Sequence, residues 1–181
     1  MTLPGQIALV TGGSRGLGQA IALELGKQGA TVIGTATSEN GAQAIGAYLE
    51  AAGIKGKGFA LNVNDAAQTE QVLVALREQF GEISILVNNA GITKDNLLAR
   101  MTDEEWDDVL TTNLKSVFRL SRAVLRAMMK ARGGRIISIS SVVGSMGNPG
   151  QANYAASKAG MVGFTKSLAQ EIGRASCRER V

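Results

Sequence analysis

The chain has 181 residues, of which 45% are hydrophobic and 19% charged, and its formal net charge is +4. This length and composition indicate one globular domain, and they exclude a disordered or collagen-like chain. The chain has no histidine and one cysteine, which excludes Ser-His-Asp hydrolysis, histidine-ligated metals and an intrachain disulfide. Without a signal peptide or a membrane-length apolar run, we expect a cytoplasmic protein that binds no metal, no membrane and no nucleic acid.

Apolar strands alternate with helical segments along the chain. The predicted strands cover residues 6–11, 31–36, 57–63, 83–88 and 134–140. Helices are predicted up to about residue 28, over about 40–52 and over 151–171. Another helix is predicted from a cap at Asp65 to about residue 80, and a long one from a capping box at Thr102 and Glu105 to about 131. Because the strands are continuous apolar runs separated by helices, they predict an α/β fold with a doubly wound parallel sheet in three layers.

A glycine-rich segment, TGGSRGLG, directly follows the first predicted strand and opens the first helix. Glycines at this place permit a tight turn close to a pyrophosphate, and the free N–H groups of the helix N-terminus attract phosphate. The spacing G-x-x-x-G-x-G differs from the G-x-G-x-x-G of longer-chain dehydrogenases. We expect this segment to bind a dinucleotide; the alternative is that the glycines only form a turn.

The second predicted strand indicates which dinucleotide is bound. It ends in GTATS, with no acidic residue before Glu39 to accept the ribose 2′-OH of NAD. Arg15 in the glycine-rich segment can instead pair with a 2′-phosphate. The sequence therefore favours NADP(H); in the alternative, Arg15 is a surface residue and Glu39 contacts the ribose.

Tyr154 and Lys158 are four residues apart and share one face of the last predicted helix. A nearby ammonium stabilises a phenolate, so such a pair can donate a proton in carbonyl reduction, although the spacing alone is more typical of an exposed pair. Ser141 follows the fifth strand, at the edge where such sheets bind ligands, and its hydroxyl can bond a carbonyl oxygen. Asn113 interrupts the long helix and, taken alone, is more typical of an exposed or locally packed residue.

Together, TGGSRGLG, NNAG, the Asn of TTNLKSVF, Ser141 in SISSVVG and YAASK resemble the motifs of the short-chain dehydrogenase/reductase family, whose fold is Rossmann-like. NNAGITKDNLLARMTDEEWDDV and MGNPGQANYAASKAG are similar to the 3-oxoacyl-[acyl-carrier-protein] reductases of bacterial fatty-acid synthesis. This resemblance implies NADPH-dependent reduction of a 3-oxoacyl group carried by acyl carrier protein to the 3-hydroxyacyl group. It also implies a homotetramer that pairs through the two long helices.

The resemblance also implies a role for each matching residue. Tyr154 donates the proton to the substrate oxygen, and Lys158 stabilises the phenolate and holds the nicotinamide ribose. Ser141 orients the carbonyl, and Asn113 holds a water molecule in a proton relay. The other implied cofactor contacts are Gly12, Ser14, Arg15, Gly16, Leu17 and Gly18 for the phosphates, Thr37 for the adenosine 2′-phosphate, Asn62 and Val63 for the adenine, and Asn89, Ala90 and Gly91 for the ribose.

The resemblance ends close to Ile172. The sixth strand, substrate-covering loop, further helix and seventh strand of the family do not follow. Residues 173–181 match nothing expected in the family, and we interpret them as a non-native tail translated from a sequencing adapter. We therefore expect residues 1–172 to be a truncated reductase domain with its last strands missing, an unpaired sheet edge and negligible activity of its own.

Two other functions stay open at this point. The first is a short-chain reductase of another carbonyl or alcohol, such as a 3-oxoacyl-CoA, a sugar or a steroid. The second is an inactive dinucleotide-binding fragment, which the presence of Ser141, Tyr154 and Lys158 disfavours for the parent protein. Lys130 and Arg132 can dock an acidic carrier protein, or they can simply form the charged end of a helix.

Overall fold

A parallel sheet of five strands forms the centre of the computed structural model, which describes residues 2–173. The strands are β1 Ile7–Val10, β2 Thr31–Ala36, β3 Gly56–Ala60, β4 Ile85–Asn88 and β5 Arg135–Ser138. They lie in the order β3-β2-β1-β4-β5, and every neighbouring pair is parallel. The predicted parallel α/β sheet is confirmed, with strands somewhat shorter than most of the apolar runs suggest.

Helices connect the strands. They are α1 Gly16–Lys27, α2 Glu39–Ala51, α3 Ala66–Phe80, α4 Asp103–Leu110, α5 Ser116–Lys130, α6 Val143–Met146 and α7 Ala152–Gly173. The caps at Asp65 and at Thr102 with Glu105 are confirmed, the latter as a complete capping box. The predicted long helix up to about 131 is confirmed, since the residues from Asp103 to Lys130 are all helical, but a π-helical turn, Thr111–Lys115, that was not predicted lies between α4 and α5. The short helix α6 was not predicted.

The sheet has a separate apolar core on each face. Alternate residues of the central strands point to opposite faces, so Ala8 and Val10 pack in one core and Leu9 in the other. The first core also contains residues of α1 and α2, and the second contains residues of α3 and α5. Helices on both faces give the three layers that the sequence predicts.

Strand β5 differs from the other strands in its burial. In the described part of the chain it pairs with β4 alone, and the side chain of Ile137 is 43% exposed. Helix α7 is described up to Gly173, and the rest of the predicted non-native tail lies outside the described residues. The domain boundary near Ile172 therefore stays a prediction. Among the described residues, no helix is long and apolar enough to span a membrane.

The strand order defines where a ligand can bind. The chain moves outward from β1 through β2 to β3, then returns to β4 on the other side of β1. The loops after β1 and β4 therefore diverge, which opens a crevice outside the carboxyl ends of these two strands. The glycine-rich segment follows β1 and the NNAG segment follows β4, so the topology brings both to this crevice.

Candidate active site

Thr11 joins the two sides of the crevice. Its Oγ1 accepts hydrogen bonds from the backbone N–H groups of Asn89 and Ala90, both at 3.0 Å. The Asn89 amide in turn donates to the carbonyl oxygens of Thr11 and Gly12 at 2.9 and 3.1 Å. These bonds fix the NNAG segment against the start of the glycine-rich segment.

Backbone sterics explain the glycines of the segment after β1. Gly12 has φ +66°, and a Cβ there would lie 3.1 Å from the Cα of Ala90. A Cβ on Gly18 would lie 2.1 Å from the carbonyl oxygen of Gly12, so only glycine lets α1 begin this close to the turn. Gly16 has φ +56°, and a Cβ there would meet open space. The segment leaves room over the N-terminus of α1, where N–H groups are free for an anion.

Helix α2 supports the glycine-rich segment from one side. The Tyr48 hydroxyl donates to the carbonyl oxygen of Gly13 at 2.9 Å, and burial raises the pKa of this phenol to about 12. Ser38 caps α2 by accepting from the Gly41 N–H, and a Cβ on Gly41 would lie 3.8 Å from the Cβ of Ser14. The N-terminus of α2 therefore lies beside the glycine-rich segment.

The residues predicted to select the dinucleotide lie at the same edge. Arg15 immediately precedes α1 with an extended backbone, and its side chain is exposed, as is that of Leu17. Thr37 is also exposed, between β2 and α2, and Glu39 is the first residue of α2. An exposed guanidinium at the start of a helix is free to meet an incoming phosphate.

The two residues predicted near an adenine differ from each other. Asn62 is exposed after β3, and its Oδ1 accepts from the Asn64 N–H at 3.1 Å. Val63 is buried in the core beneath the sheet, and its carbonyl oxygen accepts from Arg119 at 3.2 Å. Val63 can therefore contribute a packed apolar surface, whereas Asn62 presents an exposed side chain at the sheet edge.

Asn113 lies in the π-helical turn and is fully buried, unlike the exposed residue that its position in a helix suggests. Its Oδ1 accepts from the N–H of Ile92 at 2.8 Å, and its Nδ2 donates to the carbonyl oxygen of Ile92 at 2.9 Å. The same Nδ2 lies 3.2 Å from Ser157 Oγ on α7. π-Helical turns are frequent at functional sites because they redirect one residue out of the helical ladder.

Tyr154 and Lys158 share one face of α7, as predicted. The Lys158 Nζ lies 5.6 Å from the centroid of the Tyr154 ring and donates to the carbonyl oxygen of Ile139 at 2.6 Å. The Lys158 side chain is almost completely buried, and this desolvation lowers its pKa. The amine is therefore held close to the phenol and shielded from solvent, unlike that of an ordinary exposed pair.

The loop between β5 and α7 carries Ser141. Its Oγ accepts from the Val143 N–H at 3.2 Å, and the residue is half-buried. The loop packs on α7 at Lys158, because a Cβ on Gly144 would lie 3.0 Å from the Lys158 Cβ. Ser140 Oγ also donates to the Lys158 carbonyl oxygen at 3.3 Å. The loop thus brings Ser141 to the helix that carries Tyr154.

Several residues that organise the site were not singled out in the sequence. Thr11 and Tyr48 hold the glycine-rich segment, and Asn153 and Ser157 hold the start of α7. Asn153 and Ser157 directly precede Tyr154 and Lys158 in the sequence, so their adjacency to this pair could have identified them. Thr11 and Tyr48 act through contacts between residues 35 or more positions apart, so spacing alone could not have identified them.

Comparisons with known proteins agree with this geometry. The family profile described as short chain dehydrogenase matches residues 6–178. The 3-oxoacyl-[acyl-carrier-protein] reductase FabG of Escherichia coli (strain K12) is 67% identical over 172 residues, which cover 95% of this chain and 69% of the relative. The protein of that name from Haemophilus influenzae is 64% identical over 170 residues, covering 94% and 69%. That from Pseudomonas aeruginosa is 60% identical over 173 residues, covering 96% and 70%.

Proposed function

Because the chain belongs to the short chain dehydrogenase family, we propose that it is an NADPH-dependent 3-oxoacyl-[acyl-carrier-protein] reductase of fatty-acid biosynthesis, acting in the cytoplasm. The observation that carries this proposal is the buried Lys158 amine, 5.6 Å from the centroid of the Tyr154 ring, at the edge of a dinucleotide-type sheet. The relatives named as reductases of this substrate support the choice of reaction.

The residues at the crevice fit a nicotinamide dinucleotide. The open space at Gly16, which a Cβ would fill, and the free N–H groups of α1 suit a pyrophosphate. The phosphate contacts are Gly12, Ser14, Arg15, Gly16, Leu17 and Gly18. Thr37 and Arg15 would hold a 2′-phosphate, Asn62 and Val63 the adenine, and Asn89, Ala90 and Gly91 the ribose. When bound, the nicotinamide supplies the hydride for carbonyl reduction.

The chain's own side chains handle the proton. Tyr154 donates it to the carbonyl oxygen of the substrate, and Lys158 stabilises the resulting phenolate by its positive charge. Ser141 holds the same carbonyl oxygen through its hydroxyl. Asn113 keeps the π-helical turn against Ile92 and holds the water that resupplies the proton. Asn113 also donates to Ser157 Oγ, which donates to the Tyr154 carbonyl oxygen, so the π-helical turn is tied to the helix that carries the proton donor.

The proposed substrate is carried by acyl carrier protein. Lys130 ends α5 and Arg132 follows it with φ +50°, and both side chains are exposed beside the exposed Arg135. Three cations close in sequence at one end of the sheet would attract an acidic carrier.

We also propose a homotetramer that pairs through α5 and α7. Phe118 on α5 and Phe164 on α7 contact edge to face with centroids 6.4 Å apart, and Arg122 lies 4.9 Å from the Phe118 ring centroid. Phe118, Met129 and Val162 are exposed large apolar side chains on these two helices. Burial of such residues against a second copy would remove apolar surface from water.

The decisive experiment recovers the complete reading frame of the gene and follows NADPH oxidation with acetoacetyl-carrier protein and with acetoacetyl-CoA. We expect turnover with both and a higher kcat/KM for the carrier-bound substrate. Tyr154→Phe should lose most of the activity, at least about 100-fold, because no other group can donate the proton as well. Retention of most activity by this variant would show that the proposed mechanism is wrong. The 181-residue chain is assayed beside it, and turnover comparable with that of its relatives would refute the prediction that it is inactive.

A further inference from the structure

Asn153 lies directly before the proposed proton donor and is fully buried. Its Oδ1 accepts a hydrogen bond from the Tyr154 N–H at 2.7 Å. Its Nδ2 donates to the carbonyl oxygens of Lys94 and Glu105, at 2.9 and 3.1 Å. One side chain therefore ties the start of α7 to two other segments of the chain, and both ends of its amide are used.

The first of these segments is the strap, which we define as residues 92–102 between the NNAG segment and α4. Two more bonds join the strap to the residues before Tyr154. Asn96 N–H donates to the Gly150 carbonyl oxygen at 2.9 Å, and the Gln151 amide donates to the Asp95 carboxylate at 3.0 and 3.1 Å. The strap thus follows the loop that would hold the ribose and contacts the residues at the start of the helix that carries Tyr154.

The backbone of Tyr154 is held on both sides by buried side chains. Its N–H is bound by Asn153, and its carbonyl oxygen accepts from Ser157 Oγ at 2.7 Å. Ser157 is linked to Asn113, which holds Ile92 at the beginning of the strap. Asn153, Ser157 and Asn113 are all fully buried. Two separate side-chain paths therefore fix the Tyr154 backbone to the same strap.

We propose that Asn153 is a positioning residue for Tyr154: its buried amide locks the first turn of α7 to the strap and so holds the Tyr154 phenol in register with Lys158 and the cofactor loops. The inference rests on the proposed role of Tyr154 as proton donor. Because Asn153 is fully buried and both ends of its amide bond protein atoms, it acts through the Tyr154 backbone and not by touching a ligand. Reaction rates depend on the position of the donor, and a displacement of about 1 Å can lower the rate about 100-fold.

Fluorine NMR of 3-fluorotyrosine-labelled protein tests this in the 181-residue chain. The chain has two tyrosines, Tyr48 on α2 and Tyr154 on α7, so two resonances are expected, and Tyr154→Phe assigns them. In Asn153→Ala, the Tyr154 resonance should shift or broaden by more than its linewidth, while the Tyr48 resonance stays in place. Tyr48 thereby serves as an internal standard for the intact fold.

The matched control is Asn96→Ala. The Asn96 amide also bonds within the strap and to α4, at 3.1 Å to the Arg100 carbonyl oxygen and 3.1 Å to the Glu105 carboxylate, but it does not touch Tyr154. We expect the Tyr154 resonance to be unchanged in this variant. If Asn153→Ala leaves the Tyr154 resonance unchanged, moves both resonances together, or matches Asn96→Ala, Asn153 has no positioning role.

If Asn153→Ala does not fold, a second variant, Gln151→Ala, tests whether the bonds to the strap position Tyr154. Gln151→Ala removes an exposed link to Asp95 and leaves the core intact, so it should move the Tyr154 resonance in the same direction by less. No movement there, with Asn153→Ala unfolded, would also overturn the proposal.

Kinetics of the complete enzyme separate this inference from the proposed function. Asn153→Ala should lower kcat about 10- to 100-fold while leaving the KM for NADPH within about twofold. If Asn153→Ala shows the expected NMR change but the complete enzyme has no reductase activity, the proposed reaction is wrong and the positioning role of Asn153 stands. If the complete enzyme is active and Asn153→Ala changes neither the resonances nor kcat, the proposed reaction stands and the positioning role of Asn153 is overturned.

Discussion

Two loops at the carboxyl edge of the sheet are held in different ways. The glycine-rich segment after β1 is fixed by backbone contacts that leave no space for a Cβ at Gly18, and by the Thr11 hydroxyl. The loop after β5, in contrast, presents Val142 and Met146 to solvent, with 74% and 84% of each residue exposed. It touches the rest of the site mainly where it packs on α7 at Lys158.

This difference between the two loops matches two binding tasks of the proposed site, one for a dinucleotide and one for a substrate. A dinucleotide presents the same phosphates and riboses in every turnover, so the loop that binds it can be closed by sterics and buried hydrogen bonds. A loop that contacts a variable substrate can instead keep side chains that make few packing contacts within the protein and are available to the substrate. We therefore expect substitutions to destabilise the protein strongly on the β1 side and, except at Gly144 where the loop packs on α7, weakly on the β5 side.

The largest effect is expected for Gly18→Ala. A Cβ at this position would lie 2.1 Å from the Gly12 carbonyl oxygen, so α1 must move away from the turn. The cost of such overpacking should reach about 3 kcal/mol of unfolding free energy, and NADPH binding should weaken together with it. Urea unfolding followed by circular dichroism, and NADPH fluorescence titration, measure the two effects.

Gly46→Ala is the matched control for that variant. Gly46 lies within α2, and an added Cβ there meets nothing within 4 Å. Alanine should therefore stabilise the protein by about 0.5–1 kcal/mol through its higher helix propensity. If both variants were equally destabilised, a general intolerance of glycine replacement would explain the result better than the turn does.

Thr11→Val should have the next largest effect. The replacement keeps the shape of the side chain but removes the oxygen that accepts from the Asn89 and Ala90 N–H groups. Two partly buried donors lose their acceptor, which should cost about 1–3 kcal/mol in urea unfolding. Thr35→Val provides the contrast, since the buried Thr35 hydroxyl has no partner among the described residues, and its loss should be neutral or stabilising.

Much of the fold could be predicted because its signals are local. The apolar strands, the caps at Asp65 and Thr102 and the glycine spacing after β1 each depend on residues close in sequence. The parallel order follows from the alternation of strand and helix. The Tyr154–Lys158 pair is local too, since both residues belong to one helix.

The burial and the partners of Asn113 could not be predicted because they depend on distant contacts. The π-helical turn is stabilised around Asn113, whose amide bonds residues 21 and 44 positions away. The Asn113 side chain was expected to be exposed or locally packed, and it is buried because Ile92 and Ser157 satisfy both ends of its amide. Patterns of hydrophobicity contain no information on such pairs.

Lys158→Met should change the pH dependence of stability. Burial lowers the Lys158 pKa below its ordinary value of 10.5, so between the two values the unfolded chain binds more protons than the folded one. The stability contributed by this group therefore rises with pH across that window, and it is at its lowest where the buried amine is charged. The methionine variant lacks this rise, so its unfolding free energy relative to the wild type should fall as the pH approaches 10.5. Urea unfolding at several pH values measures the trend, and a constant difference would contradict it.

The smallest effect is expected for Met146→Gln in the loop after β5. Met146 is 84% exposed, so its replacement removes little packing and should change the unfolding free energy by less than about 0.5 kcal/mol. NADPH affinity should also be unchanged, because the loops after β1 and β4 are not altered. In the complete enzyme, the KM for the acyl substrate should change instead, since we propose that the loop that carries Ser141 faces that ligand. A loss of more than about 1 kcal/mol would show that this loop packs as tightly as the glycine-rich segment, and the contrast between the two sides of the site would fail.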